Sequence, residues 1–521
     1  MISSLLETYA DAKADVAHLL CDRHPADAVA FRVLDQDLVE TTLTYGELRE
    51  LSERFASALA LLGVGAGDRV ATLMGKGVDL LVAAVGLWRL GAVHVPLFTA
   101  FAPPAIEHRV NGAAVKVVVT DDTQRGKLTG GSYTVVVSGT GQRGDLVMAD
   151  LLAQHSPGSP SVAVGGDGAL LQLYTSGTTG TPKAVVMPVR GLASVHTYLT
   201  LGLDVRPDDV YWNAADPGWA YGHYYGLMGP LLLGVPGIWV TGGFDPVLCW
   251  RVLSELGVTN FAAAPTIYRA LRQHEGKVSL RCASAAGEPL TPEVNEWATG
   301  ALGTEVHDHY GQTETGMLVN THHQDSVFQP PRPGVMGTTM PGWRTAVLHE
   351  DALVEAPAGE TGRLAVDVAA SPLMWFTGYQ DAPDKTAEKL VDGWYLTGDA
   401  AWIGPDGLHH FVARDDDVII MAGYRIGPFD VESVLLQHPS VVEAAAVAAP
   451  DPLKGEVIEA YVVLAEGADG SDELVRELQQ RVKTGYAAHA YPRAVHFVDA
   501  LPKTPSGKVQ RFVLRQQRAA R

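Results

Sequence analysis

Cysteines, basic residues and long apolar runs are all scarce in this chain of 521 residues. The three cysteines, Cys21, Cys249 and Cys282, stand far apart, which excludes a disulfide framework and the spacing of a cysteine metal site and favours a reducing compartment. Lys and Arg total 39 against 59 Asp and Glu, and the net charge of −20 argues against binding a nucleic-acid backbone. The basic stretch 511–521 is either a solvated terminus or an RNA or membrane contact.

The sequence also lacks a segment with the length of a membrane span. Leu80–Phe98 is interrupted by ionisable residues and a proline, and Gly226–Val240 is too short, because a bilayer requires about 20 apolar residues. Charged side chains within Met1–Leu20 exclude the apolar core of a signal peptide. With 47% hydrophobic and 19% charged residues, we expect a soluble, cytoplasmic protein with more than one folding unit.

A β-α-β pattern recurs over most of the chain. Thr44 and Glu47 form a capping box that predicts a helix to about Leu62, where Gly63 ends it. The following segments predict a strand, a helix and a strand of a parallel sheet, at Asp68–Met74, Val78–Leu90 and Ala92–Pro96. Further strands are predicted at Ala113–Thr120, Gly237–Thr241, Val258–Ala263 and Leu280–Ala286. The fold class is therefore α/β.

The pattern changes at Arg414–Asp417, where three adjacent acids favour an exposed turn. The next predicted elements are a helix, two strands, a helix and a strand, at Phe429–Gln437, Val441–Ala449, Glu456–Ala465, Ser471–Lys483 and Ala494–Val498. This order is typical of a compact α+β unit that folds separately. We predict a large domain at 1–413, a connection at 414–417 and a small domain at 418–521.

The run Tyr174-Thr-Ser-Gly-Thr-Thr-Gly-Thr-Pro-Lys183 follows Ala169–Leu173, which predicts a buried strand that ends in a loop. Glycines let backbone amides face one anion, hydroxyls add donors without bulk, and Lys183 adds a point charge suited to phosphate. The spacing of a Walker loop is absent. We interpret the run as a nucleoside-triphosphate loop of another type; the alternative is a solvated linker, which rarely follows a buried strand directly.

Three further motifs accompany this loop. The segment His307-Asp-His-Tyr-Gly-Gln-Thr-Glu-Thr-Gly316 combines an aromatic ring, a hydroxyl and a carboxylate. Tyr395-Leu-Thr-Gly-Asp399 ends a predicted strand with a carboxylate that suits a ribose diol, and Pro502-Lys-Thr-Pro-Ser-Gly-Lys508 presents an isolated lysine. Each of these motifs alone could be an ordinary turn or surface segment. Their occurrence together and in this order is not expected by chance.

With these motifs the chain resembles the acyl-adenylate-forming superfamily of acyl-CoA synthetases, luciferases and peptide-synthetase adenylation domains. Phe411–Glu432, Pro439–Glu443 and Tyr491–Arg493 are similar to medium-chain acyl-CoA synthetases, and Ala215–His223 is closer to acetyl- and propionyl-CoA synthetases. The resemblance implies a large N-terminal adenylate-forming domain with stacked β-α-β sheets and a small mobile α+β C-terminal domain. It places the hinge within 414–417, at Asp416.

The resemblance also implies an ATP site. The β- and γ-phosphates would be held by Thr175, Ser176, Gly177, Thr178, Thr179, Gly180 and Lys183. The adenine would be framed by Gly287, Glu288, Pro289, Asp308, His309 and Tyr310, and the ribose would be fixed by Asp399 and Arg414. Thr313 would touch the α-phosphate, and Glu314 would bind Mg²⁺, which takes oxygen ligands. Lys508 would bridge the carboxylate of the acid and the α-phosphate in the transition state. The implied catalytic residues are Lys508, Glu314, Thr313 and Lys183.

The implied reaction has two halves. A carboxylate attacks the α-phosphorus of ATP to give an acyl-adenylate and pyrophosphate, and the thiol of coenzyme A then displaces AMP. Between the halves the small domain rotates, removing Lys508 and bringing in the coenzyme A segment Gly423, Tyr424 and Arg425. Alternatives are an enzyme that loads a carrier protein or activates another oxyacid such as nitrite, and a nucleotide-binding regulator without catalysis.

The positions that match the family's acyl pocket are Trp219, Ala220, His223, Ala286 and Gly311. Acetate-specific members carry a tryptophan where Gly311 stands, so we expect room for more than two carbons and a short- to medium-chain or aryl acid. His223 is either a gate between the acyl and pantetheine channels or a satisfied buried histidine.

Two departures from the family pattern affect these expectations. Tyr221 stands where acetate-type relatives carry a small hydroxyl residue, and Ala487–Ala490 lacks a lysine that relatives have. The missing lysine is either a lost contact to coenzyme A or a surface change. The expected ligands are ATP, Mg²⁺, coenzyme A and a carboxylic acid, with no nucleic-acid or membrane partner, in a monomer or homodimer.

Overall fold

The computed structural model describes residues 1–175, 182–414, 417–421, 424–451, 455–487, 489–504 and 507–519. Within these ranges the strands form four sheets, three in the large N-terminal domain and one in the small C-terminal domain. The described helices include none with both the length and the apolar character needed to cross a bilayer. The predicted α/β fold with a small α+β domain is confirmed.

The first sheet is built around parallel strands, and it confirms the predicted strand-helix-strand unit. Arg69–Leu73 pairs in parallel with Val93–Pro96, and the connecting helix Val78–Arg89 is almost entirely buried. Such a crossover covers the sheet with a helix, as parallel pairing requires. From edge to edge the strands are Tyr379–Gln380, Lys183–Pro188, Ala169–Thr175, Val93–Pro96, Arg69–Leu73, Val117–Asp121, Thr134–Ser138 and Leu146–Val147.

The second sheet is parallel in its middle and antiparallel at both edges. In spatial order its strands are Thr338–Thr339, Gly316–Asn320, Val306–Gln312, Cys282–Ala286, Asn260–Ala263, Tyr211–Asn213, Gly237–Val240, Val29–Leu34 and Glu40–Thr44. Ligands of parallel sheets bind beyond the carboxyl ends of the strands. Gly287 follows one such end directly, and the strand Val306–Gln312 carries much of the predicted adenine segment.

The helices begin where the sequence signals predict. Thr44 Oγ1 accepts a hydrogen bond from the Glu47 backbone N–H, and the Thr44 N–H donates to the Glu47 carboxylate, so the capping box is confirmed. The helices of the large domain are Ile2–Tyr9, Tyr45–Leu61, Val78–Arg89, Pro103–Gly112, Asp122–Arg125, Met148–Gln154, Leu192–Thr197, Gly229–Leu233, Pro246–Glu255, Pro265–Arg272, Pro292–Ala301 and Pro383–Ala387. Wider or tighter helical turns occur at His18–Asp22, Val189–Gly191, Tyr198–Gly202 and Gly222–Met228.

A third, antiparallel sheet leads to the end of the large domain. Its strands are Thr345–Leu348, Gly362–Asp367, Leu390–Val391, Trp394–Ile403 and His409–Arg414. The pairing of the last two places Asp399 opposite Arg414. Two residues from separate predicted motifs therefore lie side by side.

The small domain contains the predicted order of helix, two strands, helix and strand. Its strands are Ile419–Met421, Tyr424–Ile426, Val441–Asp451, Gly455–Leu464 and Ala494–Phe497, and its helices are Pro428–Leu435, Asp472–Gly485 and Arg511–Ala519. Leu514 of the last helix packs into an apolar cluster on this sheet. Two arginines of the same helix, Arg511 and Arg515, form ion pairs with Asp417, and Arg511 also pairs with Glu432 at 2.7 Å. The last helix is therefore fixed to the residue that follows the predicted hinge position.

Candidate active site

A cavity of about 680 Å³ lies between the large domain and the small domain. Its walls come from the first three sheets, from the segment around Lys508, and from the helices Pro428–Leu435 and Arg511–Ala519 and the strand Val441–Asp451 of the small domain. Residues from all the predicted motifs therefore meet in one space. The predicted residues that line it are Thr175, Lys183, Trp219, Ala220, Gly287, Glu288, Pro289, Asp308, His309, Tyr310, Gly311, Thr313, Glu314, Asp399, Arg414 and Lys508.

The other predicted residues are either outside the described ranges or away from this wall. The predicted residues that lie outside the described ranges are Ser176, Gly177, Thr178, Thr179, Gly180, Asp416 and Gly423. Tyr424 and Arg425 lie on the short strand Tyr424–Ile426 of the small domain. His223 and Ala286 are fully buried and do not line the cavity.

The two ends of the predicted phosphate loop are held together by strand pairing. Thr175 and Lys183 face each other in an antiparallel pair, and Thr175 Oγ1 donates to the Lys183 carbonyl oxygen at 3.4 Å. The Lys183 Nζ lies 4.7 Å from the centroid of the Tyr379 ring, a cation–π contact. The lysine is thus placed at the cavity by a rigid hairpin base.

Two carboxylates in the cavity are oriented by hydrogen bonds from neighbouring side chains. The Tyr379 hydroxyl donates to Glu314 Oε1 at 2.7 Å. Asp399 Oδ2 accepts from the Tyr310 hydroxyl and from Gln312 Nε2, the latter at 2.7 Å. These bonds fix both carboxylates before any ligand binds. Tyr379 stands in no sequence motif, and Gln312 lies within one but has no role predicted from it.

Lys508 reaches the cavity from the small domain. A Cβ added to the adjacent Gly507 would lie 3.6 Å from Glu288 Oε1 and 3.7 Å from Thr266 Oγ1, so this segment touches the large domain. The exposed surface of Lys508 faces the cavity. Enclosure by protein lowers the pKa of Lys508 and the charge of Arg414 lowers it further, whereas Glu288, Asp399 and Glu314 act in the opposite direction. The Lys508 ammonium therefore lies in the cavity at a place where an arriving anion would favour its charged form.

The predicted adenine segment is only partly turned toward the cavity. Burial raises the pKa of Asp308 to about 7, against the effect of backbone N–H groups of Leu290 and His309. The His309 imidazole points elsewhere: Nδ1 accepts from the Tyr198 hydroxyl at 2.6 Å and Nε2 donates to the Thr321 carbonyl oxygen at 3.0 Å. Because the His309 ring forms hydrogen bonds elsewhere, only the main chain of His309 is left for the predicted contact with adenine.

Trp219 forms a wall of the cavity beside Gly287. A Cβ added to Gly287 would lie 3.4 Å from the Trp219 Cη2, and Gly287 has a φ of +103°. The Trp219 ring also packs on buried Tyr221, with 5.9 Å between ring centroids. His223 donates from Nδ1 to the Pro217 carbonyl oxygen at 2.9 Å, whereas its Nε2 has no hydrogen-bond partner among the described residues, so the histidine is buried but only half satisfied.

The structure gives a different reason for glycine at position 311. A Cβ there would lie 2.3 Å from the Gly316 carbonyl oxygen and 2.7 Å from the Met317 Cα. Glycine is therefore required by the close approach of the neighbouring strand. Gly311 lines the cavity, but a side chain there would meet the neighbouring strand, so its absence is not by itself a source of room for a longer acid.

A separate cluster of His307, His309 and His323 brings three imidazoles together. The rings of His307 and His323 are stacked, with centroids 3.6 Å apart and an interplanar angle of 14°, and both nitrogens of His309 form hydrogen bonds. Parallel stacked rings direct their lone pairs along parallel lines, so they cannot converge on one metal ion. We interpret this cluster as part of the core.

Comparison with known proteins covers both domains. A family model for the AMP-binding enzyme matches residues 20–379, and one for the AMP-binding enzyme C-terminal domain matches residues 430–508. The chain is 35% identical to the acetyl-coenzyme A synthetase of Bacillus subtilis, over 96% of this chain and 90% of that protein.

Two solved structures extend the comparison. An acyl-CoA synthetase from Brucella canis is 42% identical with a TM-score of 0.79, over 100% of this chain and 97% of that one. The anthranilate CoA ligase AuaEII in complex with anthranoyl-AMP is 25% identical with a TM-score of 0.88, over 100% of this chain and 99% of that one. The similarity therefore extends over the whole length of each protein.

Proposed function

The chain belongs to the family of AMP-binding enzymes and is an AMP-forming acid–thiol ligase, and from this premise we propose that it activates a short- to medium-chain or aryl carboxylic acid with ATP and transfers the acyl group to coenzyme A. The observation that carries the proposal is the entry of Lys508 into the cavity that Lys183, Glu314 and Asp399 also line. A cation from a separate domain beside these groups suits a reaction in which negative charge moves between a carboxylate and a phosphate.

In the proposed first half, an oxygen of the substrate carboxylate forms a bond to the α-phosphorus of ATP. The bond between the α-phosphorus and the bridging oxygen breaks, and its electron pair leaves with pyrophosphate. Lys183 and the loop between the paired strands hold the departing phosphates, and Thr313 contacts the α-phosphate. Lys508 neutralises charge on the carboxylate and the α-phosphate. Asp399 and Arg414 hold the ribose.

Glu314 fits the Mg²⁺ that such a reaction requires. Its carboxylate is a hard oxygen donor, one oxygen is already oriented by Tyr379, and it lines the cavity near Lys183 and Asp399. Mg²⁺ is usually held in proteins by one or two carboxylates together with substrate phosphates. When bound, the ion supplies charge neutralisation along the phosphate chain.

In the proposed second half, the sulfur of coenzyme A attacks the acyl carbon, and the carbon–oxygen bond to AMP breaks. We assign residues 1–413 and 418–521 to the two domains and 414–417, with Asp416, to the hinge. Rotation there withdraws Lys508 and brings the segment Gly423–Arg425 to the thiol channel. The approach of Gly507 to Glu288 and Thr266 supports a place for this segment against the large domain during the first half.

Trp219 supports the proposed range of acids. Its ring closes the cavity against Gly287, and an aromatic wall suits an apolar acyl or aryl group. Because Gly311 is packed against the next strand, the length limit depends on Trp219 and Ala220 rather than on a vacancy at position 311.

The test is a panel of carboxylates from acetate to octanoate together with benzoates, incubated with ATP, Mg²⁺ and coenzyme A. Pyrophosphate release identifies the activated acid, and mass spectrometry detects the thioester. We expect release of AMP and acyl-CoA in equal amounts with at least one acid. Release of AMP without any acyl-CoA would contradict coenzyme A as the acceptor.

A further inference from the structure

Lys389 stands in no recognised motif, yet it lines the cavity. It precedes the short strand Leu390–Val391, which folds back on Trp394–Ile403 and brings the lysine over Thr397 and Gly398. The Lys389 Nζ donates to the Thr397 carbonyl oxygen at 2.9 Å. A Cβ added to Gly398 would lie 2.5 Å from this Nζ. The ammonium therefore occupies space that only glycine at position 398 leaves open.

The charges around Lys389 are those of the proposed ATP site. Asp399 and Glu314 attract its ammonium, and Arg414 and Lys183 repel it. Burial is the main reason that the pKa of Lys389 lies below its ordinary value. Like charges held close together in a shielded space repel one another, and an anion with several charges placed among them relieves that repulsion.

We propose that Lys389 is a further phosphate-binding residue, which contacts the α-phosphate of the bound nucleotide from the side of Asp399. This inference rests on the proposed function, because it takes ATP as the ligand. Asp399 and Arg414 mark the proposed ribose end and Lys183 the proposed β- and γ-phosphate end. Lys389 lines the same cavity, and its ammonium interacts electrostatically with groups of both ends. An ammonium has three N–H donors, and the described contacts use one of them, on Thr397.

Support of the turn at Thr397–Asp399 is the competing explanation for Lys389. That turn already has another support, because Gln312 Nε2 donates to the Thr397 carbonyl oxygen at 3.0 Å and to Asp399 Oδ2 at 2.7 Å. A charged group shielded from water is costly unless it is paired, so turn support alone gives no reason for an ammonium. The two explanations differ in what they predict for ligands with and without phosphate.

The test compares adenosine with AMP in Lys389→Met, which keeps the length of the side chain and removes its charge. Isothermal calorimetry on the full chain measures both affinities. We expect AMP to bind at least about tenfold more weakly, as for the loss of one charge-assisted hydrogen bond, with adenosine binding within twofold of the unchanged protein. Lys389→Gln, measured in the same way, provides a second variant should the first fold poorly.

Lys385→Met is the matched control. Lys385 lies four residues earlier, is exposed and pairs with Glu388 at 2.7 Å, so its loss should change neither affinity. Unchanged AMP affinity in the Lys389 variants would overturn the inference, and so would an equal loss for adenosine and AMP, which would indicate turn support. Failure of the unchanged protein to bind AMP would instead refute the proposed function, and this inference with it.

Discussion

The hydroxyl of Tyr379 donates a 2.7 Å hydrogen bond to Oε1 of Glu314. The Tyr379 ring also receives the ammonium of Lys183, and its backbone pairs with Val185 on the strand that follows the phosphate loop. One tyrosine therefore connects the lysine of the phosphate loop with the carboxylate proposed for Mg²⁺. Removing this hydroxyl should therefore change the positions of both the Lys183 ammonium and the Glu314 carboxylate.

We expect Tyr379→Phe to lower pyrophosphate release about tenfold and to raise the Mg²⁺ concentration needed for half-maximal rate. The reason is that a hydrogen bond to a charged group is lost, which is typically worth about 1.5–3 kcal/mol. The measurement is a Mg²⁺ titration of the rate at saturating ATP. Tyr133→Phe, in the apolar cluster beside the first sheet, is the control and should leave the titration unchanged. A Mg²⁺ dependence unaffected by Tyr379→Phe would refute the link to Glu314.

Replacing Lys508 should affect the first half-reaction and leave the second largely intact. We expect Lys508→Met to lose adenylate formation by roughly 10²–10³, the usual effect of removing one stabilising group in a shielded site, while thioester formation from synthetic acyl-adenylate persists. Lys483→Met is the control, because Lys483 packs on the Tyr491 ring inside the small domain and does not line the cavity. Pyrophosphate exchange measures the first half and acyl-CoA formation the second. Equal loss in both halves would be inconsistent with the role assigned to Lys508.

Replacing Trp219 should change which acids are accepted. Trp219→Leu removes the ring that stands against Gly287 and Tyr221, so we expect the preferred chain length to increase by several carbons. The relative kcat/KM across the acetate-to-octanoate panel measures this shift. Trp402→Leu is the control, since Trp402 stacks on His410 and does not line the cavity. If the preference stayed as in the unchanged protein, another residue would set the length limit.

The fold should lose stability steeply as the pH falls from about 6.5 to about 4. Burial lowers the pKa to about 4 in five histidines of the described chain, namely His196, His223, His307, His322 and His409. The unfolded chain, with ordinary histidine pKa values near 6.5, binds more protons in this window, so acid favours unfolding. Asp216, Asp308 and Asp430 oppose this, because burial raises their pKa values, to about 7 for Asp308 and about 6 for Asp430, but they are fewer than the histidines whose pKa burial lowers.

Urea unfolding at several pH values measures the effect, as the change in the free energy of unfolding per pH unit. His307→Gln should lower that slope in the same window, by up to one proton, and His18→Gln on the surface should not. Constant stability between pH 6.5 and 4 would show that these imidazoles are not held neutral by the fold.

Local patterns predicted the elements of this protein well, whereas contacts between distant segments were not predictable. The capping box of Thr44 and the parallel pair Arg69–Leu73 with Val93–Pro96 depend on residues close in sequence, and both are confirmed. The side-chain direction of His309 and the glycine at position 311 depend on which residues of the neighbouring elements pack against that strand. No pattern in one segment reports such a packing partner.

The same limit applies to Tyr379 and Lys389. Tyr379 reaches Glu314 only because a two-residue strand joins the edge of the first sheet, and Lys389 reaches the cavity only through a tight hairpin. Neither residue is marked by spacing or composition. The motifs therefore predicted the residues of the site that stand at the ends of strands, and missed those that support them from other elements.

The ion pairs of Asp417 with Arg511 and Arg515 connect the last helix of the chain to the beginning of the small domain. Asp417 directly follows the proposed pivot, and Lys508 lies three residues before the first of these arginines. Because two ion pairs hold the last helix to Asp417, we expect a rotation at the pivot to move this helix and the nearby Lys508 together. In the proposed mechanism we therefore expect Lys508 to leave the cavity only together with the small domain, so that the end of the first half-reaction coincides with the beginning of the second.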